Sequence, residues 1–337
     1  MTSPRLPAID LVKGCAILGV LFIHSQALGD GLRGSFLRDA PFLYVINQAV
    51  PIFVVFFGLN SELWWRQRPG WPLAEWYASR IRRILVPMWA ALPVWWALAL
   101  ALRPAEVVLT RTLPLWHAAG WLSQVGTGWF ITMIIQLVVV FPLLRAAGTG
   151  LALAAGLACT LACVRFQLRL MALLAGVDLF NYFVFSPRFL GHVALGMWLA
   201  PRVERLGGRA AVLGAAMFVL CVAGAERLLG ATLEPYAAAL VPLPLTVFLL
   251  AGFRLLPRLP GATDALAWLG RHSYGVYLGQ LLTHNAFVFV LGLGLYQRLD
   301  LWLYTAALLA GGLFFVWLGE AIRGAARGRV AGLRPAG

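Results

Sequence analysis

Apolar runs follow one another along almost the whole chain, and that pattern leaves few folds open. They read as 9–28, 43–65, 84–102, 127–147, 149–165, 187–201, 209–229, 235–253, 274–294 and 300–322. Most come close to the ~20 residues that a bilayer-crossing helix needs, and 187–201 is short for one. Of the 337 residues, 61% are hydrophobic and 12% are charged, whereas soluble domains carry about 25% charge. This balance excludes a soluble enzyme hung on a single anchor and leaves no room for a second, water-soluble domain. The expected fold class is all-α, a polytopic membrane bundle of about ten transmembrane helices. Residues 1–323 form one transmembrane domain in this reading, and 324–337 a short, basic, disordered cytoplasmic tail.

The formal charge of +14 comes from 27 basic residues against 13 acids, and Lys13 is the single lysine. In a soluble protein such an excess would suggest nucleic acid. Here the arginines sit between apolar runs, so they read as topology markers and phosphate contacts, and no nucleic-acid partner is expected. With ten spans and the N-terminus inside, 17 arginines fall on the cytoplasmic side and 9 on the other. That asymmetry places both termini in the cytoplasm and the protein in the cytoplasmic membrane. The first run contains Asp10, Lys13 and His24 and lacks a cleavage segment, so it is expected to remain as the first span. Cys15, Cys159, Cys163 and Cys221 all lie inside apolar runs and read as small packing residues. The arginine bias, with abundant Ala and Gly, points to a GC-rich bacterial genome.

Ionisable residues inside apolar runs carry the chemistry. Lys13 lies three residues after Asp10 and His24 eleven after Lys13, which at 100° per residue puts all three on one helix face. His24 then sits roughly 16 Å along the axis from Lys13, near mid-bilayer if Lys13 marks the cytoplasmic surface. An ionisable group at that depth needs a cavity or a partner. Arg80, Arg82 and Arg83 fall within four residues at the cytoplasmic start of the third run and make a compact anion site. Trp71, Trp76 and Tyr77 beside them also fit simple interfacial anchoring. Gln280 and His284 are one turn apart and can share a polar cavity. His117, His192 and His272 lie near run ends, where exposure at the interface is expected. No metal-spaced cluster, Walker loop or GxSxG is present, so no metal and no permanently bound cofactor are expected.

Arg5-Leu-Pro-Ala-Ile-Asp10-Leu-Val-Lys13-Gly14, with His24 after ten intervening residues, resembles the opening motif of the acyltransferase-3 family of membrane acyltransferases. Further resemblances follow in the same order: Ala49-Val50-Pro51-Ile-Phe53 through Gly58, Arg80 and Arg83 with Ile84 and Pro87, Gly128-Trp129-Phe130 through Pro142, and Ser273-Tyr274 through Tyr277-Leu278. The chain departs from the family at Phe57-Gly58, where Ser-Gly is frequent, and at Gln280, where His is frequent. Ile134, Ile135 and Gln136 stand where members fused to an esterase-like domain carry Glu, as in a stand-alone enzyme.

The resemblance implies transfer of an acyl group, commonly acetyl, from cytoplasmic acyl-CoA to a hydroxyl of a cell-envelope or exported saccharide. In that setting Lys13, Arg80, Arg82 and Arg83 bind the phosphates of the donor, although Lys13 serves equally as a partner of Asp10. His24 is the catalytic residue, as base towards the acceptor or as transient acyl carrier. Asp10, Trp129, Ser273, Tyr277, Gln280 and His284 support the site. The partners implied are acyl-CoA, the acceptor and the lipid bilayer. Two other readings stand beside this one: an amino-sugar N-acetyltransferase, and a proton-coupled transporter of a small polar solute that uses His24, Asp10 and His284 as a relay.

Overall fold

The computed structural model describes residues 6–26, 45–102, 128–167, 169–170, 173, 185–227, 239–256, 259–296 and 301–332. Among them every regular element is helical and no strand occurs. In chain order the α-helices are α1 (Pro7–Gln26), α2 (Ala49–Arg66), α3 (Leu73–Arg80), α4 (Val86–Leu102), α5 (Trp129–Ala146), α6 (Thr149–Arg165), α7 (Leu190–Leu199), α8 (Gly208–Arg227), α9 (Pro242–Leu255), α10 (Ala262–Arg271), α11 (Ser273–Tyr296) and α12 (Leu301–Gly332). A π-helical turn, Ile81–Leu85, joins α3 to α4, and 3-10 turns precede α2 and α7.

Each apolar run of the sequence carries one of these helices. Among the described residues, four stretches are long and apolar enough to cross a membrane: Pro7–Ser25, Ile46–Arg66, Trp129–Ala146 and Trp302–Ala325. Thr149–Arg165, Gly208–Ala223 and Pro242–Leu255 are shorter apolar helices. α8 turns Val212, Leu213, Met217 and Leu220 outward, and α12 does so with Trp302, Leu303, Phe314 and Trp317. Apolar faces of this size are at home against lipid rather than water. The chain is an all-helical membrane protein.

α3 and α10 fall between the runs, because they are short and carry polar residues on one side. α10 packs along α1, where glycines let the two backbones meet. A Cβ at Gly14 would overlap the Leu266 carbonyl, and one at Gly270 would overlap that of Asp10. α2 and α7 cross in the same way, with Gly58 against the Val193 carbonyl and Gly196 against that of Val55. With little hydrophobic driving force between helices in lipid, close packing through small residues is what holds such a pair together. Gly196→Val is therefore expected to cost about 2–3 kcal/mol through forced separation of the backbones. Gly252→Ala, where a Cβ meets nothing within 4 Å, leaves stability unchanged or slightly raised. Thermal unfolding of the two variants in detergent checks the contrast.

Two buried clusters flank the centre. One gathers Val12, Ile17 and Leu21 of α1 with Phe56 and Leu59 of α2, Leu245 of α9, Val276 and Leu278 of α11 and Leu308 of α12. The other joins Trp64 of α2 and Trp76 of α3 to Met133 and Phe141 of α5 and Val193 and Met197 of α7. α12 differs from the sequence reading at its end. It continues as helix to Gly332, well into the stretch read as a disordered tail. Ala and Arg are strong helix formers, and a long preceding helix removes the nucleation cost. Residues 333–337 lie outside the described residues, as do Arg5, Arg33, Arg38, Arg103, Arg111, His117, Arg258 and Arg298.

Candidate active site

A cavity of about 630 Å³ lies between α1, α2, the π turn, α5 and α11. Asp10, Lys13 and His24 all line it, so the polar stripe of α1 faces one space. Asp10 and His24 are buried, and Lys13 is half-buried. At one end the walls are basic: Arg68, Arg80 and Arg83. Exposed Gln67, Arg83 and Glu204 mark the mouth. His24 and Trp129 lie at the other end of the axis, and Phe130 meets Tyr277 of α11 edge-on with ring centroids 5.4 Å apart.

Arg80 is the best-built of the cations. It is 7% exposed, and its guanidinium carbon stands 4.0 Å over the Trp76 ring. Trp76 is itself held by stacking on Phe141 at 4.9 Å and by its Nε1 donating to the Val138 carbonyl at 3.4 Å. The Nε and Nη2 of Arg80 are buried and have no hydrogen-bond partner among the described residues. Donors of a buried guanidinium are costly to leave unpaired, and their neighbours on the cavity wall are further cations. Burial first, then the charges of Arg83 and Arg68, lower Arg80 to about 9, so it keeps its proton at neutral pH. Three guanidiniums, with no carboxylate bonded to Arg80 among the described residues, suit an anion carrying several charges.

Neighbouring arginines are otherwise engaged. Arg66 and Arg145 pair with the buried Glu62 at 2.8 and 3.4 Å. Arg82, grouped with Arg80 and Arg83 in the sequence reading, is not on the cavity wall. It is exposed, stands 3.9 Å from Glu75, and its Nε donates to the Ala78 carbonyl. The π turn that separates these residues is a local rewinding of the kind that recurs at functional sites. The Tyr274 hydroxyl donates to the Ile84 carbonyl at 2.7 Å and ties the start of α11 to this turn.

Ser273 and Tyr277 line the cavity with Tyr274. Gln280 and His284 do not: they lie behind His24, away from the cavity wall. His24 Nδ1 is 2.9 Å from Gln280 Oε1, and the His24 and His284 ring centroids are 6.3 Å apart. The Tyr304 hydroxyl of α12 lies 3.0 Å from His284 Nδ1. His192, expected at the interface, is instead 3% exposed, because α7 is wedged between α2 and α6, and its Nε2 lies 3.1 Å from the Ala239 carbonyl. His272 is half-buried and stands 3.1 Å from Glu320. Sequence reasoning missed Arg68, Tyr274 and the Trp76 platform. Arg68 and Trp76 were visible only as interfacial basic and aromatic residues, and Tyr274 only within the Ser273–Leu278 match.

The described residues thus give a helical membrane protein with a cavity lined by arginines and by a buried imidazole. The acyltransferase domain model matches residues 6–320, nearly the whole chain, and the protein belongs to the acyltransferase-3 family. No curated protein and no solved structure matches it.

Proposed function

We propose that this membrane acyltransferase moves an acyl group, acetyl by preference, from cytoplasmic acyl-CoA to a hydroxyl of a cell-envelope or exported saccharide. The observation that supports this reading is one cavity with Arg68, Arg80 and Arg83 at one end and His24 at the other. Coenzyme A is a polyphosphate carried on a thin arm that ends in the thioester. The guanidiniums hold the phosphates, and the arm lies along α1 towards His24, roughly 16 Å beyond Lys13. The acceptor hydroxyl oxygen attacks the thioester carbonyl while the His24 imidazole takes its proton. The carbon–sulfur bond then breaks, and the departing thiolate receives that proton, leaving an ester and free coenzyme A. Asp10 and Lys13 sit lower on the same wall, where Lys13 adds positive charge beside the donor. In this reading the chain crosses the cytoplasmic membrane about ten times, with both termini inside.

Purified protein in nanodiscs, given radiolabelled acetyl-CoA and envelope saccharide, is expected to deposit label as an alkali-labile ester and to release coenzyme A in equal amount. Alkali-stable label on an amino sugar would instead assign an N-acetyltransferase.

A further inference from the structure

His24 has two ring nitrogens, and the fold treats them differently. The ring lines the cavity, but its Nδ1 is turned to Gln280 Oε1 at 2.9 Å. Gln280 is fully buried on α11 and is not part of the cavity wall. An amide oxygen only accepts, so the hydrogen of a neutral imidazole must sit on Nδ1. The lone pair is then on Nε2, on the opposite edge of the ring, and that is the edge left to meet a substrate.

We propose that Gln280 is a positioning residue that fixes His24 as the Nδ1–H tautomer and thereby makes Nε2 the base of the reaction. The amide also steadies the imidazolium once Nε2 has taken the acceptor's proton, and it does so without carrying a charge itself. Packing alone does not account for a glutamine here. Its Nε2 is buried with no hydrogen-bond partner among the described residues, a cost that an apolar side chain of the same length would avoid. Nearby contacts hold the arrangement in place. Thr305 of α12 donates to Ser25 at 2.9 Å, and Ser25 donates to the Leu21 carbonyl one turn back on α1. His284 and Tyr304 fill the space behind the ring.

This inference rests on His24 acting as base, and two variants of opposite character test it. Gln280→Met keeps the packing and removes the acceptor. Gln280→Glu keeps an acceptor on both terminal atoms and removes the unpaired N–H. Loss of the correct tautomer is expected to lower kcat in the methionine variant about a hundredfold, with little change in KM for acetyl-CoA. The glutamate variant is expected to recover at least about a tenth of wild-type kcat. Nitrogen-15 spectra of histidine-labelled wild type, with His24 assigned by its loss in His24→Ala, are expected to show Nδ1 protonated and Nε2 bare. A wild-type kcat in the methionine variant, a glutamate variant slower than the methionine one, or an Nε2–H tautomer in the spectra would each overturn the proposal. If His24→Ala is inactive and Gln280→Met fully active, only the role of Gln280 fails. If His24→Ala keeps full activity, the proposed function fails at its base.

Discussion

His24→Ala is expected to lower acyl transfer by about a thousandfold while acetyl-CoA still binds, because a positioned general base contributes typically 10²–10⁴ in rate. The imidazole sits near the C-terminal end of α1, roughly 16 Å along the helix from Lys13. Its loss should therefore fall on kcat rather than on donor affinity. The α1 backbone should survive the change, since Val12, Ile17, Val20 and Leu21 carry its packing. Single-turnover assays alongside equilibrium binding, at matched membrane levels, read the two effects separately. A parallel loss of binding would mean that His24 holds the donor rather than the proton.

The second large effect belongs to the other end of the cavity. Arg80→Ala with Arg83→Ala is expected to weaken acetyl-CoA binding about a hundredfold, from charge-assisted bonds worth roughly 1.5–3 kcal/mol each when buried and less when exposed. Arg80 supplies most of this, being buried with two donors that have no partner among the described residues, whereas Arg83 is exposed. Arg82→Ala serves as the internal control. Its guanidinium stands beside Glu75 and away from the cavity, so donor affinity is expected to stay within about twofold. A titration of acetyl-CoA against the three proteins, repeated at higher salt, checks both expectations, and equal losses from Arg82 and Arg80 would show that the arginines act only as a diffuse positive surface.

How much of this could be seen in the sequence depended on the range of the interactions. Helical class and membrane character follow from run length and composition, which are local properties. The shared face of Asp10, Lys13 and His24 follows from 100° per residue, and all three line the cavity. A cluster such as Arg80, Arg82 and Arg83 shows only that charge is concentrated. Which side each guanidinium takes depends on the π turn and on the Trp76 ring under Arg80, neither of which spacing records. Gln280 and His284 were legible as neighbours on one helix, but not as groups behind His24, because that placement needs α11 packed against α1 across 256 residues of sequence. Arg68 is one more arginine between runs in the sequence, but just past the end of α2 its guanidinium lies between Trp64 and Trp71 on the cavity wall.

A structure of the protein with a non-hydrolysable acetyl-CoA analogue would show the donor at both ends of the cavity at once. The nucleotide phosphates are expected in ion-pair contact with Arg80 and Arg83, and the analogue's acetyl carbonyl within hydrogen-bonding range of the cavity-facing edge of His24. An analogue bound with its phosphates against any other basic patch, or with its acetyl group remote from His24, would contradict that expectation.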